Sequence, residues 1–321
     1  MMTRDRYFGI SPLLLHPGTA GNFKVYLKRD QDAYLLYCVS NENFSAEKLK
    51  RLDQMGVEEI YIPHEDAEEY QSYLRGHLGS ILNDKTIPAK ARSQVFYDTS
   101  CEVVREAFSS RLPSDLPPNF LEHVKKLVSD CMEFLSSETN LGEVARLMSH
   151  DYETYTHSVN VFVLTLALMR GQEGYTEDDL KEIGVGTILH DIGKTQIPRN
   201  ILRKPGKLTG EEFEIVKRHP VIGNAMCMKL ELAPKTTNVV LYHHEKMDGS
   251  GYPAGIDQES LPGYIRAVTI SDIYDALTSK RAYAEAMEPF EALQLIKNEF
   301  DGQVDPGIYA RLLKILSGCV M

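Results

Sequence analysis

The chain has 321 residues, 43% of them hydrophobic, with 35 Lys and Arg against 46 Asp and Glu for a net charge of −11. That is about twice a typical domain of ~150 residues, so two domains with a sizeable core are expected, and the acidic balance argues against DNA, RNA or an anionic membrane as the main partner. No run approaches the ~20 apolar residues of a membrane span, and residues 1–8 do not lead into an apolar stretch, which reads as a cytoplasmic protein.

In chain order, residues 7–15, 23–27, 33–39 and 59–62 look extended, and the polar stretch 28–32 marks a hairpin between the second and third. Between the third and fourth, Ser45 is placed to cap a helix that Gly56 ends. Apolar residues at helical spacing follow at Tyr70, Tyr73, Leu74, Leu78 and Ile81, and a further helix is expected over 88–112. The run Leu112-Pro-Ser-Asp-Leu-Pro-Pro then breaks any helix, because proline lacks the donor and disfavours helical geometry before it. Beyond it the pattern is helical at 119–137, 140–149, 151–171, 176–191, 209–218, 220–231, 234–243, 264–279, 288–299 and 305–317. The expected division is a small α+β regulatory module over 1–85, a helical linker over 86–118 and an all-helical domain over 119–321, making the chain mainly α.

The five cysteines are widely spaced, never Cys-x-x-Cys, and read as plain thiols. The histidines differ: five of the ten fall between 157 and 244 and bring carboxylates with them. Glu153 and His157 are four apart, on one face of a helix. His190 and Asp191 adjoin at the end of an apolar helix, with Gly193 and Lys194 close behind. His219, the pair His243-His244 and Asp272 follow. Imidazole and carboxylate together suit first-row metal ions, and so many donors exceed what one ion takes.

The blocks Leu189-His-Asp-Ile-Gly-Lys, Ile201-Leu-Arg-Lys-Pro-Gly-Lys, His219-Pro, His243-His-Glu-Lys-Met-Asp-Gly-Ser-Gly-Tyr-Pro and Asp272-Ile-Tyr-Asp-Ala-Leu-Thr-Ser stand in that order. They resemble the HD-GYP subgroup of the HD phosphohydrolase superfamily, whose tripeptide is here Gly251, Tyr252 and Pro253; the resemblance covers roughly 140–317. It implies an all-helical HD-type domain that hydrolyses cyclic di-GMP to linear pGpG, with metal ligands at Glu153, His157, His190, Asp191, His219, His243, His244 and Asp272. Two or three divalent ions are implied, iron or manganese, with Asp191 bridging and Glu153 matching the extra ligand of three-metal members. Lys194 is implied as the catalytic cation at the scissile phosphate, Arg281 as a second phosphate contact, and the Gly251-Tyr252-Pro253 loop as a contact to the substrate or to a diguanylate cyclase (GGDEF) partner. A homodimer is a further expectation. The usual Arg-Pro-Tyr-Arg/Lys pattern reads Arg281-Ala-Tyr-Ala284, so a second cation is missing.

Residues 192–209 hold Lys194, Arg199, Arg203, Lys204 and Lys207 with no acid, a local excess that can steer a phosphodiester. A sensor that binds cyclic di-GMP without turnover would not need a full ligand set, whereas a phosphodiesterase for another cyclic dinucleotide fits the same residues.

Overall fold

A computed structural model describes residues 6–30, 33–109, 120–148, 154–280 and 286–319. The chain forms two compact units, Met1–Thr99 and Ser100–Met321. The proline-rich run at 112–118, His150, Glu153 and the segment 281–284 lie outside the described residues.

In the first unit, β1 (Tyr7–Ile10), β2 (Val25–Asp30), β3 (Ala33–Cys38) and β4 (Ile60–Pro63) make one sheet in the order β1-β4-β2-β3, all neighbours antiparallel. The expected hairpin is β2–β3, and Ser45 caps α1 (Ala46–Gln54) by accepting from the Lys48 amide. The first strand is shorter than its apolar run, because Ser11 accepts from the Leu13 amide and Pro12 fixes φ, turning residues Pro12–Leu14 into a 3-10 helix. Phe23 is fully buried against Phe44, Tyr70 and Tyr73, the last two carried by α2 (Ala67–Asn83). The long helix α3 (Ala89–Ser109) follows.

The second unit continues with α4 (Phe120–Leu135), α5 (Glu138–Leu147), α6 (Thr154–Met169), α7 (Glu177–Leu189), a 3-10 turn at Ile192–Gln196 and the single turn α8 (Arg199–Leu202). Then come α9 (Gly210–Val216), α10 (His219–Met228), α11 (Pro234–Tyr242), α12 (Gly263–Thr278), α13 (Pro289–Glu299) and α14 (Pro306–Cys319). The basic stretch 192–209 contains the 3-10 turn and α8.

Two helices run through the centre. α6 is buried almost all round from His157 to Met169, and α12 from Tyr264 to Asp275, the pattern of helices enclosed by others rather than of an amphipathic surface helix. Val161, Leu164 and Leu168 of α6 meet Ile265 and Val268 of α12, with Ile296, Ile308 and Leu312 from the last two helices closing the cluster. Each fully buried side chain of this kind is worth about 1.5–3 kcal/mol. Polar residues inside so apolar a region need a specific reason, and His157, Asp272 and Asp275 sit there. α7 starts on a Thr176–Asp179 capping box and ends at His190; Lys235 at the start of α11 reaches Asp179 at 2.7 Å, tying together the two helices whose C-termini deliver His190 and His243.

Candidate metal centre

Four histidines reach one carboxylate from four helices. His157 comes from α6, His190 from the C-cap of α7, His219 from the first position of α10 and His243 from the C-cap of α11. Asp191 follows His190 directly and faces them all. Its Oδ1 lies 3.2 Å from His219 Nε2 and 3.8 Å from His243 Nε2; its Oδ2 lies 3.5 Å from His190 Nε2 and 3.7 Å from His157 Nε2. Asp272 of α12 completes the group, 3.1 Å from His157 Nε2 through Oδ1 and 3.3 Å from His244 Nδ1 through Oδ2.

The tautomers follow from the second nitrogen of each ring. Nδ1 of His190, His219 and His243 lies 2.7, 2.7 and 3.0 Å from the carbonyl oxygens of Thr187, Val216 and Val240. His157 Nδ1 lies 2.7 Å from Asp275 Oδ2. A carbonyl or carboxylate oxygen only accepts, so each Nδ1 carries the proton and, in the neutral ring, Nε2 is a bare lone pair. Yet His157 Nε2 and His190 Nε2 are 3.2 Å apart, and His219 Nε2 and His243 Nε2 are 3.1 Å apart. Four ring nitrogens with lone pairs and a carboxylate thus converge on one point. Asp191 Oδ1, fully buried, has no hydrogen-bond partner among the described residues. Cations satisfy such an arrangement, and imidazole with carboxylate is the donor chemistry of divalent first-row metals. Two donor groups share Asp191, one formed with His219, His243 and His244 and one with His157 and His190.

The electrostatics agree. Burial, with the neighbouring imidazoles, holds His190 below its ordinary range, His243 well below it and His244 down to about 3, which keeps these rings neutral as ligands must be. Burial opposes the charge on Asp191, but the Lys194 ammonium beside it outweighs burial and holds the carboxyl well below the usual range. Asp272 is held well below the usual carboxylate range despite its burial, with the rings of His157 and His244 beside it. Lys194 Nζ donates to Asp191 Oδ2 at 2.6 Å.

Two glycines permit this geometry. A Cβ on Gly193 would lie 2.0 Å from the His219 carbonyl and 2.7 Å from the Gly223 nitrogen, so only glycine lets the turn after Asp191 press against α10. A Cβ on Gly251 would lie 2.5 Å from Glu245 Cα and 2.6 Å from the His244 carbonyl, so the Gly-Tyr-Pro loop lies directly on the backbone that carries the histidine pair. Tyr252 donates its amide to that carbonyl at 3.3 Å and rests its ring on His244, centroids 4.7 Å apart; the peptide to Pro253 is cis.

The structure brings together His157, His190, Asp191, His219, His243, His244, Asp272, Lys194 and the Gly251-Tyr252-Pro253 loop. Glu153 and Arg281 lie outside the described residues. Two residues that matter here went unread in the sequence. Asp275 accepts from His157 Nδ1 and, at 2.7 Å, from Asn160 Nδ2. Glu245, fully buried, accepts the amides of Ala254, Gly255 and Ile256 at 2.6, 3.1 and 3.0 Å and so clamps the loop to the histidine pair. The available signal was spacing: Asp275 is one helical turn from Asp272, and Glu245 adjoins His244.

The second unit is helical among its described residues, and its centre is an aspartate shared between two groups of imidazoles, a donor set that could hold divalent ions. A family model described as HD domain matches residues 122–308, and the chain belongs to the HD-domain family. Among curated proteins, the cyclic di-GMP phosphodiesterase PA4108 of Pseudomonas aeruginosa is 35% identical over 214 residues, covering 66% of this chain and 48% of that protein. A cyclic di-GMP phosphodiesterase of Thermotoga maritima is 34% identical, covering 61% of this chain and 56% of its own length. The 3'3'-cGAMP-specific phosphodiesterase 3 of Vibrio cholerae is 34% identical over 51% of this chain and 35% of its own. The chain thus spans about half or less of the length of these relatives. A solved structure, the HDG"Y"P protein Bd1817 from Bdellovibrio bacteriovorus, matches with a TM-score of 0.64 over 97% of this chain and 99% of that one at 21% identity, a likeness of fold. No described helix is long and apolar enough to cross a membrane.

Proposed function

We propose that this chain is a metal-dependent phosphodiesterase that opens cyclic di-GMP to linear pGpG in the cytoplasm. The observation that carries the reading is the convergence of four Nε2 lone pairs on the two oxygens of Asp191. The relatives named as cyclic di-GMP phosphodiesterases supply the substrate.

His157, His190, Asp191 and Asp272 would hold one ion and Asp191, His219, His243 and His244 another, iron or manganese in our reading, with Glu153 reserved for a third. When bound, the ions supply Lewis acidity and lower the pKa of a coordinated water toward neutrality. The protein's own groups do the rest. Asp275 and the three carbonyls fix every Nε2 in the unprotonated form, so no reorganisation is needed on binding. Lys194, 18% exposed at its side chain, keeps one cation at the edge of the centre where phosphoryl charge builds up. Arg281 is a candidate for the second phosphate, and the Gly251-Tyr252-Pro253 loop for the nucleotide or for a diguanylate cyclase partner. Residues 119–321 form the catalytic domain in this reading, 86–118 a linker and 1–85 a regulatory module that also serves a homodimer.

The test is anaerobic reconstitution with Fe(II) or Mn(II), followed by metal analysis and a hydrolysis assay on the same sample. Conversion of cyclic di-GMP to pGpG is expected; binding without pGpG over hours would make the chain a sensor. The mixed-base cyclic dinucleotide belongs in the same assay, because one relative is named for cGAMP. Faster turnover of that compound would reassign the substrate.

A further inference from the structure

Among the described donors, exposure is uneven. The side chains of His157, His190, His219 and His243 are at most 1% exposed, whereas that of His244 is 24% exposed. His244 is thus the most exposed of the described imidazoles, and Tyr252 lies over that ring. Beside Tyr252 stands Lys217, its Nζ 5.4 Å from the Tyr252 ring centroid and 5.8 Å from that of Phe213. Lys217 thus sits between two aromatic faces, one at the centre and one outside it.

Phe213 is 48% exposed, an unusual state for a phenylalanine in a helix whose neighbours are charged. The helix that carries it is firmly started. A Thr209–Glu212 capping box fixes the start of α9, and Lys204 Nζ donates to Glu212 Oε2 at 2.6 Å. The partner of Lys217 is Glu214, at 2.9 Å and 69% exposed. Such a surface pair contributes little, so the ammonium can be exchanged from Glu214 to a phosphate at small cost.

We propose that Phe213, Lys217 and Tyr252 form the nucleotide-contacting rim of this centre, Phe213 stacking on one purine of a cyclic dinucleotide while Lys217 meets the phosphate remote from Asp191. This rests on the phosphodiesterase reading for its ligand. It adds a base platform and a cation outside the metal-binding residues and outside Lys194. An exposed aromatic face accepts any base, so the rim contributes affinity, and the discrimination between bases lies elsewhere.

The chain contains no tryptophan, so Phe213→Trp places a single indole on the proposed platform. In the metal-loaded full chain, cyclic di-GMP should quench its emission saturably, and inorganic phosphate at the same concentration should not. Phe213→Ala should raise KM for cyclic di-GMP about tenfold with kcat within about twofold, as expected for loss of one stacking contact, and Phe213→Trp should restore KM. Lys217→Gln should raise KM, and Lys217→Arg should not. Turnover with no quenching in the Trp variant and an unchanged KM in Phe213→Ala would overturn the rim and leave the proposed activity standing. Saturable quenching without any pGpG would support the rim and overturn the activity. If Phe213→Ala fails to fold, the Trp titration and the Lys217 pair decide.

Discussion

Asp275 Oδ2 lies 2.7 Å from His157 Nδ1, and its Oδ1 accepts from Asn160 Nδ2 at the same distance, so a buried carboxylate is used to hold one imidazole in one tautomer. Ser279 Oγ adds a third contact at 3.3 Å. Asp275→Asn keeps the shape but offers an amide that presents its own N–H to His157 or Asn160. We expect metal affinity to fall by about 10–100-fold, the usual cost of losing such a partner, with the helical circular dichroism retained. Dialysis against a graded chelator series checks it; metal retention equal to that of the parent chain would show that His157 needs no such partner.

How much of this was legible beforehand depends on where the information sits. His190, Asp191, Lys194, His243, His244 and the Gly-Tyr-Pro loop lie in short contiguous blocks, so a linear reading finds them, and helical periodicity places most of the helices. Asp275 and Glu245 acquire their roles through packing: the first across 118 residues to His157, the second by closing a loop ten residues on. The 3-10 helix at Pro12–Leu14 interrupts an apolar run because a local serine–amide bond outcompetes the strand ladder, which hydropathy alone does not register.

Glu245 offers a second check. Its carboxylate takes three amides from 254–256, and the loop it holds bears Tyr252 against His244. Glu245→Ala leaves those amides to partial solvation and should destabilise the chain by about 3 kcal/mol, given about 1–3 kcal/mol for each charged hydrogen bond lost. With a melting shift of about 2–4 °C per kcal/mol for a unit of this size, thermal unfolding should drop by about 6–12 °C. KM should rise as the loop loosens. An unaltered melting curve would mean that backbone packing at Gly251 suffices to hold the loop.

Acidification should destabilise the metal-free protein well above the range of ordinary carboxylates. Burial holds His190, His243 and His244 below their usual 6.5, so between that value and the folded pKa, about 3 for His244, the unfolded chain takes up protons that the folded chain refuses. Stability is then fully present above pH 6.5 and is lost on the acid side, at up to about 1.4 kcal/mol per pH unit for each such ring. Asp191 and Asp272, held well below the usual carboxylate range, add a loss of the same sign below about pH 4. Melting temperatures of chelator-treated protein should be level from pH 7 to 8 and fall steeply below pH 6. A rise between pH 6.5 and 5 would contradict the neutral state of these rings.

The count of bound ions tests the remaining candidate ligand. Asp191 is shared by two donor groups, one with His219, His243 and His244 and one with His157 and His190, with Asp272 beside both, which would account for two ions without any further residue. Glu153 lies outside the described residues, four positions before His157 in sequence. Helical spacing would aim it at the same centre, and an eighth donor has a natural use only if a third ion is present. On that reading the anaerobically reconstituted chain should carry about three ions, and Glu153→Ala about two, with Asp191→Ala losing metal and turnover together. Inductively coupled plasma analysis of the three proteins decides between the stoichiometries. Two ions in both the parent chain and Glu153→Ala would leave Glu153 without a role in the centre and return it to the surface as the partner of a nearby cation.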